Sequence, residues 1–151
     1  MILKQELKKL WNFLVNIKMK ILFVCKYNRF RSKIAEAFFN KLNKDLKYRA
    51  FSAGVFKGIP VSRNLLQISK SLGLSVNVQT HGLTEKMLSD YDIIVIVADN
   101  VPASLFSNKI RKRRVIVWKI PDADQNNKKV ILEVINKIQS RVEGFVKELK
   151  K

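Results

Sequence analysis

The chain has 151 residues, of which 47% are hydrophobic and 28% charged, with five glycines and three prolines. This composition excludes a disordered or low-complexity chain, and the length suffices for one domain with a real core. The formal charge of +18 favours anionic partners such as phosphorylated substrates, nucleic acid or acidic membranes, although a merely solvated lysine-rich surface explains it equally well.

The cysteine content and the apolar runs indicate the cellular compartment of the protein. The single cysteine excludes an intramolecular disulfide and fits a reducing compartment. The longest apolar runs, residues 21–25 and 93–98, are too short to cross a bilayer and lack the flanks of a signal peptide. We therefore expect a cytoplasmic protein, and the sequence disfavours a membrane as its partner.

The first residues predict an amphipathic basic helix. Its apolar positions recur at helical spacing: Leu3, Leu7, Leu10, Leu14 and Ile17. Because Met19 suits the start of a domain, we predict an N-terminal helical extension over residues 1–18 and an α/β domain over residues 19–151. Docking of the helix on the domain, or self-association into a homo-oligomer, is favoured over membrane binding, although helices that bind membrane surfaces share this pattern.

The rest of the chain alternates between predicted strands and helices. Strands are expected at residues 19–24, 48–53, 91–97 and 115–118, with a short extended piece at 76–79. Helices are expected at residues 32–42, 62–72, 84–89 and 128–149, with Ser32 and Thr84 as N-caps and Gly73 as a stop. Such alternation implies an α/β fold with a parallel sheet and right-handed crossovers.

One octapeptide, between a predicted strand and a predicted helix, carries most of the functional signal. It reads Cys25-Lys26-Tyr27-Asn28-Arg29-Phe30-Arg31-Ser32. A loop of this length can wrap around phosphate or a similar oxyanion, with its backbone N–H groups and the helix N-terminus converging on the anion. A thiolate would lie beneath the anion and a guanidinium alongside. The expected phosphate-binding residues are Lys26, Tyr27, Asn28, Arg29, Phe30, Arg31 and Ser32.

A Cys-x5-Arg spacing alone is weak evidence, but here it has a context. An acidic residue, Asp122, follows the last predicted strand. Sites in open α/β sheets lie at the carboxyl ends of the strands, where both Cys25 and Asp122 are expected. The simpler alternatives are a buried cysteine that only packs and an aspartate that only forms a turn.

These residues resemble the low-molecular-weight protein tyrosine phosphatases and the related thioredoxin-coupled arsenate reductases. The resemblance covers roughly residues 19–150. It rests on residues 21–37, Ser52-Ala53-Gly54, Asp92-Ile93-Ile94-Val95, Asp99-Asn100 and Trp118-Lys119-Ile120-Pro121-Asp122. It implies a four-stranded parallel sheet flanked by helices in three layers, as in flavodoxin-like folds, and chemistry that needs no metal or organic cofactor.

The resemblance also implies roles for individual residues. Cys25 would attack phosphorus to form a cysteinyl-phosphate, Arg31 would bind two non-bridging oxygens, and Asp122 would act as general acid and then as base. Ser32 would donate a hydrogen bond to the sulfur. Asn28 would hold the loop in a left-handed backbone conformation, and Ser52 would support that network.

The sequence departs from the family pattern within the loop and after the acid. Tyr27 stands where the family commonly has glycine, Phe30 where it commonly has a second cysteine, and Ala123 where it usually has proline. Tyr27 or Phe56 is therefore the expected aromatic wall for the substrate, and Lys26 is expected to favour acidic substrates.

The presence of a single cysteine decides the order of the three candidate functions. Arsenate reduction would need an external thiol, so a phosphatase acting on a phosphorylated protein or small phosphoester comes first and an external-thiol arsenate reductase second. A catalytically weak module that binds phosphopeptide or nucleic acid comes third, and nucleic acid is disfavoured because no basic motif is interleaved with aromatic residues. His81 is given no role, Asp99 is expected to shape its loop, and the basic run at residues 109–114 is expected to be a solvated edge.

Overall fold

The computed structural model describes residues 2–16, 18–107 and 113–151. In chain order the elements are α1 (Ile2–Asn16), β1 (Met19–Cys25), α2 (Arg31–Leu42), β2 (Tyr48–Gly54), α3 (Arg63–Ser71), α4 (Glu85–Asp90), β3 (Ile93–Val97), a 3-10 turn (Ala103–Phe106), β4 (Arg114–Trp118) and α5 (Lys128–Leu149). The strands form a parallel sheet in the order β2-β1-β3-β4. The predicted four-stranded parallel sheet flanked by helices is confirmed.

The sheet is the middle of three layers because its strands bury both faces. Alternate residues of a strand point to opposite sides, so Phe23 packs with α2 and α5 on one face, whereas Val24 lies in the cluster beside α4 and the 3-10 turn on the other. All of β3 is buried, as its continuous apolar run predicts. In the larger core the Phe145 ring meets Phe23 and Trp118 edge to face, and the Phe23 and Trp118 rings are tilted to each other.

The local signals at the helix ends are confirmed except at α2. Ser62 and Thr84 accept hydrogen bonds from the backbone N–H groups of Leu65 and Met87, and Gly73 ends α3 with φ 72°. The expected cap at Ser32 is wrong: α2 begins one residue earlier, and Phe30 precedes it without a side-chain cap. The Ser32 hydroxyl is engaged in the site described below.

The extended piece predicted at residues 76–79 is not a strand. The Val78 carbonyl accepts a hydrogen bond from the Val61 N–H, which joins two loops. Of the apolar side chains in this segment, Val76 packs against the core. Asn77, Val78 and Gln79 are exposed, so the segment is neither a strand nor a buried piece of the core.

The N-terminal helix forms as predicted, but residues 3–11 are all exposed. Docking of that segment on the domain is therefore wrong. Ile17 of the predicted helix, and Lys109, Arg111 and Lys112 of the basic run, lie outside the described residues. Within the described ranges, no helix has the length and apolarity needed to span a bilayer.

Candidate functional site

The expected site residues lie together at the carboxyl edge of the sheet. Cys25 ends β1, Arg31 begins α2, and Asp122 lies in the loop after β4. All three line one cavity of about 250 Å³, along with residues 27, 29, 30 and 123–125. The Cys25 side chain is buried yet forms part of the cavity wall, so the sulfur faces a space that an anion can enter.

A chain of hydrogen bonds runs behind the sulfur. Asn28 Nδ2 donates to Ser32 Oγ at 2.8 Å and to Ser52 Oγ at 2.9 Å. Ser32 Oγ lies 3.0 Å from Cys25 Sγ. The backbone N–H of His81 donates to Asn28 Oδ1 at 2.9 Å, which fixes the orientation of the amide because that N–H can only donate.

The polarity of this chain follows from the proton count. The amide of Asn28 has two N–H protons and donates one to each of the two hydroxyls. Each serine hydroxyl accepts one of these protons and keeps its own proton to donate. The Ser32 proton is available to the Cys25 sulfur, which accepts it when the sulfur is a thiolate, and Ser52 donates to Glu36 Oε1 at 2.9 Å. A hydrogen bond donated to sulfur stabilises the thiolate relative to the thiol.

The loop conformation depends on Asn28 and on a close approach at Gly54. Asn28 is fully buried and has φ 55°, a left-handed conformation that asparagine tolerates. A Cβ on Gly54 would lie 2.5 Å from the Asn28 nitrogen. Tyr27 does not take the positive φ, so the loss of the family's glycine there costs no backbone strain.

Arg31 is 1% exposed and connects three loops. Its Nη1 donates to the Ile120 carbonyl and its Nη2 to Asn100 Oδ1, each at 3.0 Å. Asp99 Oδ1 and Asp122 Oδ2 each lie 3.5 Å from the guanidinium. Asp99 therefore orients Arg31, whereas the sequence assigned it only to loop shape. Asn100 and Ile120 were missed because no spacing rule connects them to the loop.

Tyr27 and Arg29 line the cavity, and further aromatic and cationic side chains, which we count with them as its rim, lie beside them. The exposed rings of Tyr27 and Phe56 have centroids 6.1 Å apart, and Lys26 Nζ lies 5.3 Å from the Tyr27 centroid. Arg29 Nε donates to the Pro60 carbonyl at 3.0 Å. The Phe30 side chain instead belongs to the core, so core packing replaces the second thiol of the family pattern.

Two charged groups behind the loop were not assigned from the sequence. Lys33 is buried and donates through Nζ to the Gln79 carbonyl. Burial lowers the pKa of Lys33, opposed by the nearby charges of Glu36 and Cys25. Burial raises the pKa of Glu36, opposed by its hydrogen bond from Ser52. In the sequence, Glu36 stood out only as part of the motif at residues 35–37. Whether a glutamate in a helix is buried depends on elements that are distant in the sequence.

The described residues hold no group of three or more His, Cys, Asp or Glu side chains placed to bind a metal ion. The groups able to hold a ligand at this edge are therefore the loop, the Arg31 guanidinium and the rim. Together they suit a tetrahedral oxyanion with an attached organic group.

Comparison with known proteins gives a consistent family. The family model described as low molecular weight phosphotyrosine protein phosphatase matches residues 20–151. A glutaredoxin arsenate reductase from Synechocystis sp. is 25% identical over 134 residues, which are 86% of this chain and 98% of that protein.

Solved structures resemble the chain over most of its length. The crystal structure of an arsenate reductase from Archaeoglobus fulgidus is 29% identical, with a TM-score of 0.73, and covers 83% of this chain and 98% of that one. A low-molecular-weight protein tyrosine phosphatase from T. tengcongensis is 24% identical, with a TM-score of 0.74, covering 86% and 99%. The second likeness shows the fold alone.

Proposed function

The chain belongs to the low-molecular-weight phosphotyrosine protein phosphatase family, and on that premise we propose that it hydrolyses phosphomonoesters, with phosphotyrosine preferred, through a cysteinyl-phosphate. The observation that carries the proposal is the 3.0 Å contact between Ser32 Oγ and Cys25 Sγ, at a cavity that Arg31 and Asp122 also line. The family is catalytic, and phosphatases and arsenate reductases both occur among its relatives.

In the first step the Cys25 thiolate attacks phosphorus in line with the ester oxygen. The S–P bond forms as the P–O bond breaks, and Asp122 gives its proton to the departing oxygen. Arg31 binds two non-bridging oxygens in bidentate fashion. The 3.5 Å separation of Arg31 and Asp122 supports this assignment because it places the acid beside the group that would hold the phosphate.

In the second step water attacks the cysteinyl-phosphate. Asp122, now a carboxylate, takes a proton from that water, the S–P bond breaks, and phosphate leaves. The electron pair of the broken bond returns to sulfur. Ser32 stabilises the resulting thiolate, because its hydroxyl lies 3.0 Å from the sulfur and a thiolate can only accept a hydrogen bond. The rings of Tyr27 and Phe56 supply the wall for a phenol leaving group.

Two variants test the mechanism on p-nitrophenyl phosphate and phenyl phosphate. Cys25→Ser is expected to abolish turnover of both esters with an unchanged thermal unfolding midpoint. Asp122→Asn is expected to lower kcat about a thousandfold on phenyl phosphate and much less on p-nitrophenyl phosphate, because the poorer leaving group needs the proton more. Turnover that survives Cys25→Ser would reject the proposal, and equal losses on both esters would remove Asp122 as the acid.

A second candidate is arsenate reduction with an external thiol, favoured by the likeness to a glutaredoxin arsenate reductase. Cys25 would form the arsenate adduct, and outside thiols would supply two electrons as they are oxidised to a disulfide and arsenite leaves. Cys25 is the only cysteine, so the chain alone cannot close that disulfide. Arsenite release that depends on added glutathione and glutaredoxin, in the absence of phosphomonoester turnover, would establish this function instead.

The module that only binds remains third, because the nucleophile, guanidinium and acid of an enzyme are all present and converge. It predicts phosphopeptide binding without turnover, or nucleic-acid affinity that falls steeply with salt. The unpaired thiol of Cys25 fits a reducing compartment, and we propose the cytoplasm.

A further inference from the structure

The amino edge of the sheet, opposite the cavity, collects positive charge. Parallel strands begin at the same edge, so residues distant in sequence meet there. Tyr48 Oη donates to the Leu149 carbonyl at 3.3 Å, and Arg114 pairs with Glu148, which brings the end of α5 to this edge. Among the residues that the structure describes, the exposed cations here include Lys18, Lys44, Lys47, Arg114, Lys147, Lys150 and Lys151. We call this set the basic edge.

Carboxylates at this edge do not cancel the charge. Asp92 accepts a hydrogen bond from the Lys20 N–H at 2.8 Å. Asp45 accepts one from the Lys47 N–H at 3.0 Å, and Glu148 is paired with Arg114. Exposed Asp90, just before β3, and exposed Glu6 of α1 add negative charge. The exposed lysine side chains of the described residues still outnumber these carboxylates, so the edge presents a positive potential to solvent.

The helix α1 joins the domain at the basic edge. The N–H groups of Lys18 and Met19 both donate to the Lys47 carbonyl at 2.9 Å, so the connection to α1 leaves from there. Lys4, Lys8 and Lys9 alternate along α1 with large apolar side chains, and all are exposed. The exposed fractions of those apolar side chains are 69% for Leu3, 56% for Leu7, 53% for Leu10 and 66% for Trp11.

The occupant of this surface must satisfy both the apolar and the cationic groups. A second copy of the chain would bring another charge of +18 against the same lysines. Nucleic acid would pair with the lysines but leave the leucines and Trp11 in water. An anionic lipid surface offers headgroups to the lysines and the acyl boundary to the apolar side chains.

We propose that α1 and the basic edge bind the surface of an anionic lipid bilayer, with α1 lying in the interface. The geometry suits a working enzyme because Cys25 stands at the far end of β1, a seven-residue strand about 23 Å long. Membrane contact at the amino edge therefore leaves the cavity open to solvent. The inference does not depend on the reaction catalysed at Cys25.

Vesicle co-sedimentation of the full chain tests the proposal, with phosphatidylcholine vesicles that contain or lack phosphatidylglycerol. We expect binding at about 0.05 M salt that requires phosphatidylglycerol and weakens at about 0.5 M salt. The double variant Leu7→Glu, Trp11→Glu is expected to weaken binding at least tenfold. The triple variant Lys4→Gln, Lys8→Gln, Lys9→Gln is expected to weaken it about a hundredfold, since each lysine near an anionic surface contributes about 1 kcal/mol.

The matched control is Leu105→Glu, Leu132→Glu, which adds the same charge at exposed leucines away from α1 and the basic edge. Its binding is expected to stay within about twofold of the wild type. Absence of binding to anionic vesicles would overturn the proposal. So would binding that Leu7→Glu, Trp11→Glu leaves intact, or a dimer in sedimentation velocity that this variant dissolves while lipid binding is absent. Thermal unfolding midpoints confirm that each variant is folded.

Discussion

Polar groups are buried at one edge of the parallel sheet and exposed to solvent at the other. At the carboxyl edge, Asn28, Arg31 and Ser32 are buried and hydrogen-bonded: Asn28 donates to Ser32, and Arg31 donates to the Ile120 carbonyl. At the amino edge, the lysines extend into solvent. Buried polar groups hold fixed geometry because an unmade hydrogen bond there is costly, whereas exposed charges interact at long range and are screened by salt.

The comparison teaches where small chemical changes matter. A change at the carboxyl edge alters distances within a closed network, so we expect large effects on turnover and stability. A change at the amino edge alters a potential, so we expect small effects on both and a visible effect only on binding to anionic surfaces.

Of the changes that test this comparison between the two edges, Arg31→Lys is expected to have the largest effect, on turnover. Lysine keeps the charge but cannot offer the two parallel N–H groups that bind a tetrahedral oxyanion, so kcat/KM for p-nitrophenyl phosphate is expected to fall about a thousandfold. The control at the other edge is Arg114→Lys, whose expected kcat/KM equals that of the wild type. A loss below tenfold in Arg31→Lys would show that bidentate geometry is unimportant here.

Next comes the effect of Gly54→Ala on stability. The added methyl would lie 2.5 Å from backbone atoms of Tyr27, Asn28 and Phe56, so the free energy of unfolding is expected to drop by about 3 kcal/mol. The matched change Gly144→Ala, in α5, meets nothing within 4 Å and is expected to stabilise by about 0.5–1 kcal/mol. Urea unfolding measures both, and equal effects would contradict the close packing of the loop.

Ser52→Ala is expected to cost about 1–2 kcal/mol of unfolding free energy because it removes the acceptor of one Asn28 proton and the donor to Glu36. We also expect kcat to fall about tenfold as the loop loses its support. Ser71→Ala, at an exposed hydroxyl that donates to the Ile68 carbonyl, serves as the control and should stay within about 0.5 kcal/mol. An Ser52→Ala variant as stable and active as this control would show that the network is dispensable.

The smallest effect concerns Glu36 and pH. Burial raises the pKa of Glu36 above the ordinary value of 4.5, so the folded state holds this proton more tightly than the unfolded state. Its contribution to stability is therefore present at low pH and is lost as pH rises through the folded pKa. Glu36→Gln is expected to flatten this decline between about pH 5 and about pH 7, whereas Glu133→Gln, at an exposed site of α5, leaves the slope unchanged. Urea unfolding of the wild type and the two variants at these two pH values measures the change in stability with pH.

Much of the fold was predictable because local patterns agreed with the tertiary structure. The continuous apolar run that became β3 and the amphipathic run of α5 matched their elements closely, since one buries both faces and the other one stripe. The strand predicted at residues 76–79 is wrong because the Val78 carbonyl pairs with the Val61 N–H of another loop and not with a strand. The docking of residues 3–11 failed because an amphipathic pattern identifies an apolar face without identifying what covers it.

The candidate site was predictable in its centre and not in its surroundings. The spacing from Cys25 to Ser32 places the loop at the end of β1, and Asp122 follows from its place after β4. The contacts of Arg31 with Asn100 and the Ile120 carbonyl depend on loops far along the chain. The helix cap assigned to Ser32 was wrong because its hydroxyl is drawn to Asn28 and Cys25 instead.

The order of the residues alone determined that a thiol, a guanidinium and a carboxyl would meet at one edge of a sheet, because short-range periodicity sets strands and helices. Only the tertiary structure decided that Asn28 distributes its two protons between two hydroxyls, that Lys33 and Glu36 are buried, and that distant lysines gather at the opposite edge. Burial and electrostatic potential are sums over neighbours in space, and the sequence does not contain those neighbours until the chain has folded.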